Sequence, residues 1–128
     1  MRELKFRVWE EREKAYDTWS YILDANGNLF RNAYGALIGC DKKDYIVERY
    51  TGLKDKNGEM VYEGDIVLDC YDGDDAFIVE WDKDTASFIL TDTEHILNVS
   101  FDNFYPDKYL EVIGNIHENG DLLEEKWQ

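Results

Sequence analysis

Apolar and polar residues alternate along much of this chain with a period of two, the pattern of β-strands that are buried on one face. The alternation is clear in residues 4–9 and again in residues 77–82. Similar runs, rich in β-branched and aromatic residues, predict further strands at 16–23, 45–50, 64–71, 87–92 and 109–116.

Dipeptides that favour tight turns separate several of these strands. Asn-Gly and Asp-Gly adopt positive φ at low cost, as the two-residue turns of antiparallel hairpins require. The pairs are Asn26-Gly27, Asn57-Gly58, Asp72-Gly73 and Asn119-Gly120. The sequence therefore predicts antiparallel strands joined by hairpin turns.

Helical signals are few and short. Residues 10–15 are charged and have helical propensity, but a stretch this short does not persist alone in water, so we predict an exposed turn or a short helical piece. Near the C-terminus, Asp121 and Glu124 have the spacing of an N-cap and its capping-box partner. They predict a brief helix held by docking of Leu122, Leu123 and Trp127.

These elements predict a mainly β fold, in which antiparallel strands form a barrel or sandwich with minor helix. The 128 residues have the length of a single domain. A soft subdivision near residue 50 separates an N-terminal β layer, 1–50, from a small barrel with the short C-terminal helix, 51–128. An SH3-like barrel is one option for that second half.

Composition places the chain among folded proteins of the cytoplasm. Hydrophobic residues make up 44% of it and aromatic residues 15%, enough for a packed core. The apolar runs are too short to cross a bilayer, and no apolar segment follows the charged N-terminus as in a signal peptide. The two cysteines, Cys40 and Cys70, have neither CxxC spacing nor neighbouring histidines, so we expect free thiols in a reducing compartment.

The net charge of −15 is concentrated in the second half of the chain. Residues 1–64 hold 12 acids and 11 bases, whereas residues 65–128 hold 17 acids and 3 bases. Binding nucleic acid requires Lys and Arg to neutralise phosphates, so we expect no direct nucleic-acid binding through that half. Its acidity either keeps the protein soluble or imitates the charge of nucleic acid.

No recognised catalytic, cofactor or metal motif occurs in the sequence. His95 and His117 lack metal-ligand spacing, and no GxSxG, GxGxxG or P-loop motif is present. The acidic residues around Asp72 and the run from Asp24 to Asn28 do not fit the ligand positions of an EF-hand loop. We therefore expect no cofactor, no metal and no enzymatic activity.

The most distinctive segment is the run YTGLKDKNG at 50–58, followed by VYEGDIV at 61–67. Its three glycines are spaced by six residues, which indicates tight turns or close backbone approach. One interpretation is purely structural, with turn residues chosen by backbone geometry. The other is an exposed recognition loop on a β scaffold. Its candidate contact residues are Tyr50, Lys54, Asp55, Lys56, Asn57 and Tyr62.

This central segment resembles the signature of the YopX family. Residues 5–9, 79–82 and 111–119 are similar to that family's opening, middle and closing segments, in the same order. Gly120 departs from the family pattern, where we expect proline. The resemblance implies a largely β protein encoded by phages or prophages of Gram-positive bacteria, and it implies no defined reaction.

Three functions remain open at this level. The first is a protein-binding module that contacts a host protein or a second copy of itself, since exposed strand edges and aromatic side chains favour interfaces. The second is an acidic mimic of nucleic acid that inhibits a DNA-binding protein. The third is an enzyme of unrecognised type. Of the aromatic residues, we expect Phe77, Trp81, Phe88 and Phe101 in the core and Trp19 and Trp127 nearer the surface.

Overall fold

The computed structural model describes residues 4–17, 20–71, 75–92, 99–101 and 105–124. The described elements are, in chain order, β1 (Phe6–Glu10), β2 (Ala15–Tyr16), β3 (Tyr21–Leu23), β4 (Leu29–Ala33), β5 (Ala36–Gly39), β6 (Tyr45–Lys54), β7 (Met60–Tyr62), β8 (Asp65–Asp69), β9 (Asp75–Asp82), β10 (Ser87–Thr91), β11 (Val99–Ser100), α1 (Pro106–Tyr109), β12 (Leu110–Asn115) and α2 (Asp121–Glu124). Among them, no helix has the length and apolar character needed to span a membrane. The expected mainly β fold with antiparallel strands and minor helix is confirmed.

The chain forms two compact units. The small unit is Phe6–Glu48, and the large unit combines Met1–Lys5 with Arg49–Gln128. Strand β6 begins in the small unit, where it lies beside β1 in the order β2-β1-β6, and ends in the large unit, where it pairs with β7.

A five-stranded antiparallel sheet, ordered β11-β10-β9-β8-β12, organises the large unit. Successive side chains of a strand point to opposite faces. Strand β8 accordingly contributes Val67 to one apolar cluster and Ile66 to another. The first cluster comprises Val61, Val67, Phe77, Val79, Leu90, Phe101 and Leu110, and the second comprises Ile66, Ala76, Ile78 and Leu123.

The aromatic residues expected in the core divide between core and surface. Phe77 and Phe101 are buried, and Phe88 packs half-buried against the first cluster. The prediction for Trp81 is wrong, because 48% of this residue is exposed. Trp81 lies next to the end of β9, beyond the clusters, and its ring packs edge-on against Phe88 at 5.0 Å. Trp19 and Trp127 lie outside the described residues.

Buried charged groups are part of the interior of the small unit. The Glu48 carboxylate is buried and accepts hydrogen bonds from Arg7 Nε and the Tyr16 hydroxyl, each at 2.8 Å. The Arg7 guanidinium also lies over the Tyr16 ring, 4.3 Å from its centroid. Removing Arg7 would take a cation from the buried Glu48 carboxylate, which is costly in the interior of a protein.

The prediction of one continuous strand at 16–23 is wrong. Residues 15–16 form β2, which pairs with β1, whereas residues 21–23 form β3, which pairs with β4 in a separate sheet ordered β3-β4-β5. Strands β4 and β5 were not predicted. Their turn is Tyr34-Gly35, with φ of 52° and 82°, and a tyrosine at positive φ is not a turn signal that sequence rules recognise.

Two of the predicted Asn-Gly turns are confirmed as hairpin turns: Asn26-Gly27 joins β3 to β4, and Asn57-Gly58 joins β6 to β7. Asn119-Gly120 is not a hairpin turn, because it leads from β12 into α2. There the Asn119 side chain accepts a hydrogen bond from the Asn115 backbone at 3.1 Å, which closes the end of β12. Asp72-Gly73 lies outside the described residues.

The two predictions about short helical pieces have different outcomes. Residues 11–14 form a turn between β1 and β2, which is the first of the two structures predicted for this stretch. Helix α2 is present and Leu123 is buried, but Asp121 is its first residue and not the residue that precedes it.

Candidate functional site

The central segment folds as the end of β6, the hairpin to β7 and the entry into β8. Its three glycines all adopt positive φ, between 82° and 91°. Gly52 lies where the register between β6 and β7 shifts, so it occupies a β-bulge. Gly64 lies in the turn before β8, where its N–H donates to Val79 and its carbonyl accepts from Ile116. Each of the three glycines therefore meets a backbone requirement, as the structural interpretation of the spacing predicts.

The Asp55 turn has an internal duplicate in the small unit. Asp24 and Asp55 each begin a five-residue run with Asn at the third position and Gly at the fourth. In both runs the Asp Oδ1 accepts hydrogen bonds from the backbone N–H groups two and four residues later, at 2.8–2.9 Å. Turn geometry therefore accounts for an asparagine at position 57.

Asp55 differs from Asp24 in a long-range contact. Asp55 is 3% exposed, and its Oδ2 accepts a hydrogen bond from the Val112 backbone N–H of β12 at 2.9 Å. The Lys56 N–H also donates to the Leu110 carbonyl at 2.9 Å. These two bonds fasten the turn to the beginning of β12.

The candidate contact residues divide into buried and exposed groups. Tyr50 is buried, and its ring lies 5.6 Å from that of the half-buried Tyr62. Lys54, Lys56 and Asn57 are exposed. The loop therefore exposes two lysines and an asparagine at the surface, while its tyrosines and Asp55 face the protein.

Lys56 is an exposed residue of the loop whose side chain has polar neighbours on another element. Its Nζ lies 3.6 Å from the Glu111 carboxylate on β12. Its nearness to Cys70, and after that the negative charge of Glu111, raises the pKa of Lys56 above its usual range. Lys56 thus places a positive charge beside Cys70, which follows β8, and Glu111 of β12.

Next to Lys56 lies an exposed aromatic surface that the sequence did not reveal. It comprises Tyr71, Tyr105 and Tyr109, and we call it the tyrosine surface. The Tyr109 ring lies 4.7 Å from Tyr71 and 6.4 Å from Tyr105, between centroids. Tyr71 is 71% exposed, Tyr105 is 61% exposed, and Tyr109 is half-buried between them.

The strand pairing brings these three residues together. Strands β8 and β12 are antiparallel, and a hydrogen bond from Cys70 N–H to the Tyr109 carbonyl extends their ladder at 2.8 Å. The residues on either side of that bond are therefore neighbours. Tyr105 precedes Pro106 at the start of α1 and has left-handed φ and ψ of 48° and 67°. In the sequence, Tyr71 precedes the turn dipeptide Asp72-Gly73 and Tyr105 precedes Pro106. These neighbours are the sequence features from which exposed tyrosines could have been predicted.

A cleft of about 560 Å³ lies in the small unit. Volumes of this order accommodate small molecules. Its lining includes acids, arginines and tyrosines but no histidine, serine or cysteine: Glu10, Arg12, Glu13, Ala15, Tyr16, Asp17, Arg31 and Tyr45. Across the part of the chain that the structure describes, no three His, Cys, Asp or Glu side chains group as metal ligands. His117 lies in the turn after β12, and His95 is outside the described residues.

Comparisons with known proteins agree on one family. The family described as YopX protein matches residues 5–124. Protein EF1440 from Enterococcus faecalis has a similar structure, with a TM-score of 0.64 and 25% identity over 96% of this chain and 99% of that one. Protein yopX from Bacillus subtilis is similar in fold, with a TM-score of 0.60 and 21% identity over the same shares. No curated protein matches. The chain therefore belongs to the YopX family.

Proposed function

We propose that this chain is a non-enzymatic protein-binding module, encoded by a phage or prophage and active in the bacterial cytoplasm. Its partner is a protein that packs on the tyrosine surface, with Lys56 of the adjacent turn at the rim. We expect no membrane association and no direct nucleic-acid binding through residues 65–128, where 17 acids face 3 bases.

Two exposed tyrosines, Tyr71 and Tyr105, that each contact the half-buried Tyr109 support this proposal. Tyrosine is enriched at protein interfaces because it buries a large apolar ring with little loss of side-chain entropy and keeps a hydroxyl for hydrogen bonding. Here the rings already contact one another, so a partner would not have to order them separately.

The backbone of Tyr105 adds a second argument. A non-glycine residue in the left-handed region costs about 1–2 kcal/mol. Tyr105 has this conformation with 61% of its surface exposed, so burial of its own side chain does not compensate fully. Lys14, Tyr34 and Ala86 share this backbone conformation, so the strain supports a binding site at Tyr105 only together with its ring contact to Tyr109.

The double substitution Tyr71→Ala with Tyr105→Ala tests the proposal. The tagged protein serves as bait in a lysate of a bacterial host, and bound proteins are identified by mass spectrometry. We expect a partner recovered with the wild type to fall at least tenfold with the double variant, because truncating aromatic anchors at an interface costs about 2 kcal/mol or more.

Tyr34→Ala is the matched control. Tyr34 is fully exposed in the small unit and, like Tyr105, has positive φ. The Tyr34→Ala variant should retain the partner at the wild-type level. Equal recovery by all three proteins would contradict a role for the tyrosine surface, as would equal loss from both variants.

The charge of the second half supports a second candidate, the acidic mimic of nucleic acid. The large unit holds 21 acids and 8 bases, and a dense acidic face is what a mimic of duplex charge requires. This candidate predicts a partner whose binding depends steeply on salt, whereas an aromatic interface is much less sensitive. The enzyme alternative stays a proposal without a named reaction.

A further inference from the structure

Strand β5, Ala36–Gly39, is unusually open at the edge of its sheet. Of the strands whose burial the structure describes, it is the one in which every residue is exposed. Leu37 is 58% exposed and Ile38 is 44% exposed. Edge strands of soluble proteins are normally protected by charges, proline or bulges, and this strand has none of them.

The register with β4 shows which backbone groups of β5 are free to pair outward. Cys40 N–H donates to the Leu29 carbonyl at 2.9 Å, so Cys40 is a hydrogen-bonded position opposite Leu29. Such positions alternate along an antiparallel pair. Ile38 therefore bonds toward β4, opposite Arg31, while the N–H and C=O groups of Leu37 and Gly39 point away from the sheet.

The geometry points to antiparallel pairing of β5 with β5 of a second copy of this chain, around a two-fold axis at Ile38. Leu37 then faces Gly39 of the second copy, and Gly39 faces its Leu37. All four outward backbone groups of each strand obtain partners, and the contact closes as a dimer because it uses the same patch twice.

The side chains fit this register. On one face, Leu37 would lie over Gly39 of the second copy, where the space is open: a Cβ placed on Gly39 would meet no heavy atom within 4 Å outside its chain neighbours. On the other face, Ile38 meets its own equivalent at a non-hydrogen-bonded position, where side chains approach closely. Both contacts bury apolar area that is exposed in the single chain.

The charge distribution favours a second copy at this edge. The small unit holds 8 acids and 6 bases, whereas the large unit holds 21 acids and 8 bases. Two copies that meet through β5 therefore join their nearly neutral units. The other edge of the sheet is less suitable, because Tyr21 and Leu23 of β3 are half-buried.

A contact of four residues per strand is small, so the dimer should be weak. Stable interfaces bury about 1,200 Å² or more, and shorter contacts belong to the transient class. We expect a dissociation constant in the micromolar range or weaker, with the monomer and dimer in rapid exchange. The wild type should sediment increasingly as a dimer as its concentration is raised.

Disulfide trapping tests the register. In a Cys40→Ser, Cys70→Ser background, Ile38→Cys places two thiols at the two-fold axis, where Cα atoms lie about 4.5 Å apart and a disulfide can form. Leu37→Cys is the matched control, since its equivalents are two residues out of register, beyond the roughly 7 Å reach of a disulfide. We expect a covalent dimer from the Ile38→Cys variant and at most a trace from the Leu37→Cys variant.

Opposite charges at residue 38 test the symmetry. Ile38→Glu should remove dimerisation, since like charges directly opposite repel, while Arg31 on β4 faces the new carboxylate within the monomer. Mixing it with Ile38→Lys should restore a dimer containing one copy of each. A wild type that stays monomeric at every concentration, equal trapping at 37 and 38, or no recovery in the mixture would overturn the proposal.

Discussion

Asp55 shows at the residue scale how the same local chemistry can serve two purposes. Asp24 and Asp55 make the same turn, yet only Asp55 is buried and bonded to a residue 57 positions away. The turn itself could be predicted from the Asn-Gly pair that follows each aspartate. The bond to Val112 could not, because it depends on which strand passes beside the turn.

Asp55→Ala should lower the free energy of unfolding by about 3 kcal/mol, because three backbone N–H groups lose a charged acceptor and one of them lies on β12. Asp24→Ala is the matched control and should produce a clearly smaller loss. Urea denaturation of both variants and the wild type measures the difference. Equal losses would show that the bond to β12 contributes little.

Tyr34 gives a prediction in the stabilising direction. It occupies a positive-φ position of the β4–β5 turn with its side chain fully exposed, so it bears backbone strain without contacts that offset it. Tyr34→Asn should stabilise the protein by about 1 kcal/mol, because asparagine tolerates the left-handed region. Tyr34→Val should destabilise it. Thermal unfolding of the two variants decides, and the opposite order would contradict this account of the turn.

At the scale of elements, strands with strong alternation and Asn-Gly turns were predictable, and the less regular ones were not. Strand β9 follows the period-two pattern over residues 77–82. Strands β4 and β5 interrupt this pattern with Arg31, Asn32 and three small residues. Their pairing depends on a turn that contains a tyrosine at positive φ. The tyrosine surface was missed for a related reason: its members are far apart in sequence and meet through the β8–β12 pairing.

Helix α2 depends on packing for its stability. Four residues are too few for an isolated helix, and Leu123 places its side chain in the second apolar cluster of the large unit. Leu123→Ala should therefore lower the free energy of unfolding by about 2 kcal/mol through the cavity that it leaves. Leu122→Ala, at a half-exposed position, is the control and should have a smaller effect. Chemical denaturation compares them, and equal midpoints would contradict the docking of α2 through Leu123.

At the scale of the whole molecule, the charge asymmetry seen in the sequence follows the division into units. The large unit carries a net charge of −13 and the small unit −2. The proposed tyrosine surface belongs to the acidic unit and the proposed self-pairing edge to the nearly neutral one. A partner that binds the proposed tyrosine surface would therefore meet the unit that carries most of the negative charge.

The most direct measurement is recovery of bound protein from host lysate at low and at high salt, with the wild type and the Tyr71→Ala, Tyr105→Ala variant side by side. Screening by salt weakens contacts between exposed charges but leaves apolar packing largely intact. We predict a partner that the wild type retains at both salt concentrations and that the variant loses at both. A partner held by both proteins at low salt and released by both at high salt would contradict the aromatic interface and favour the acidic mimic.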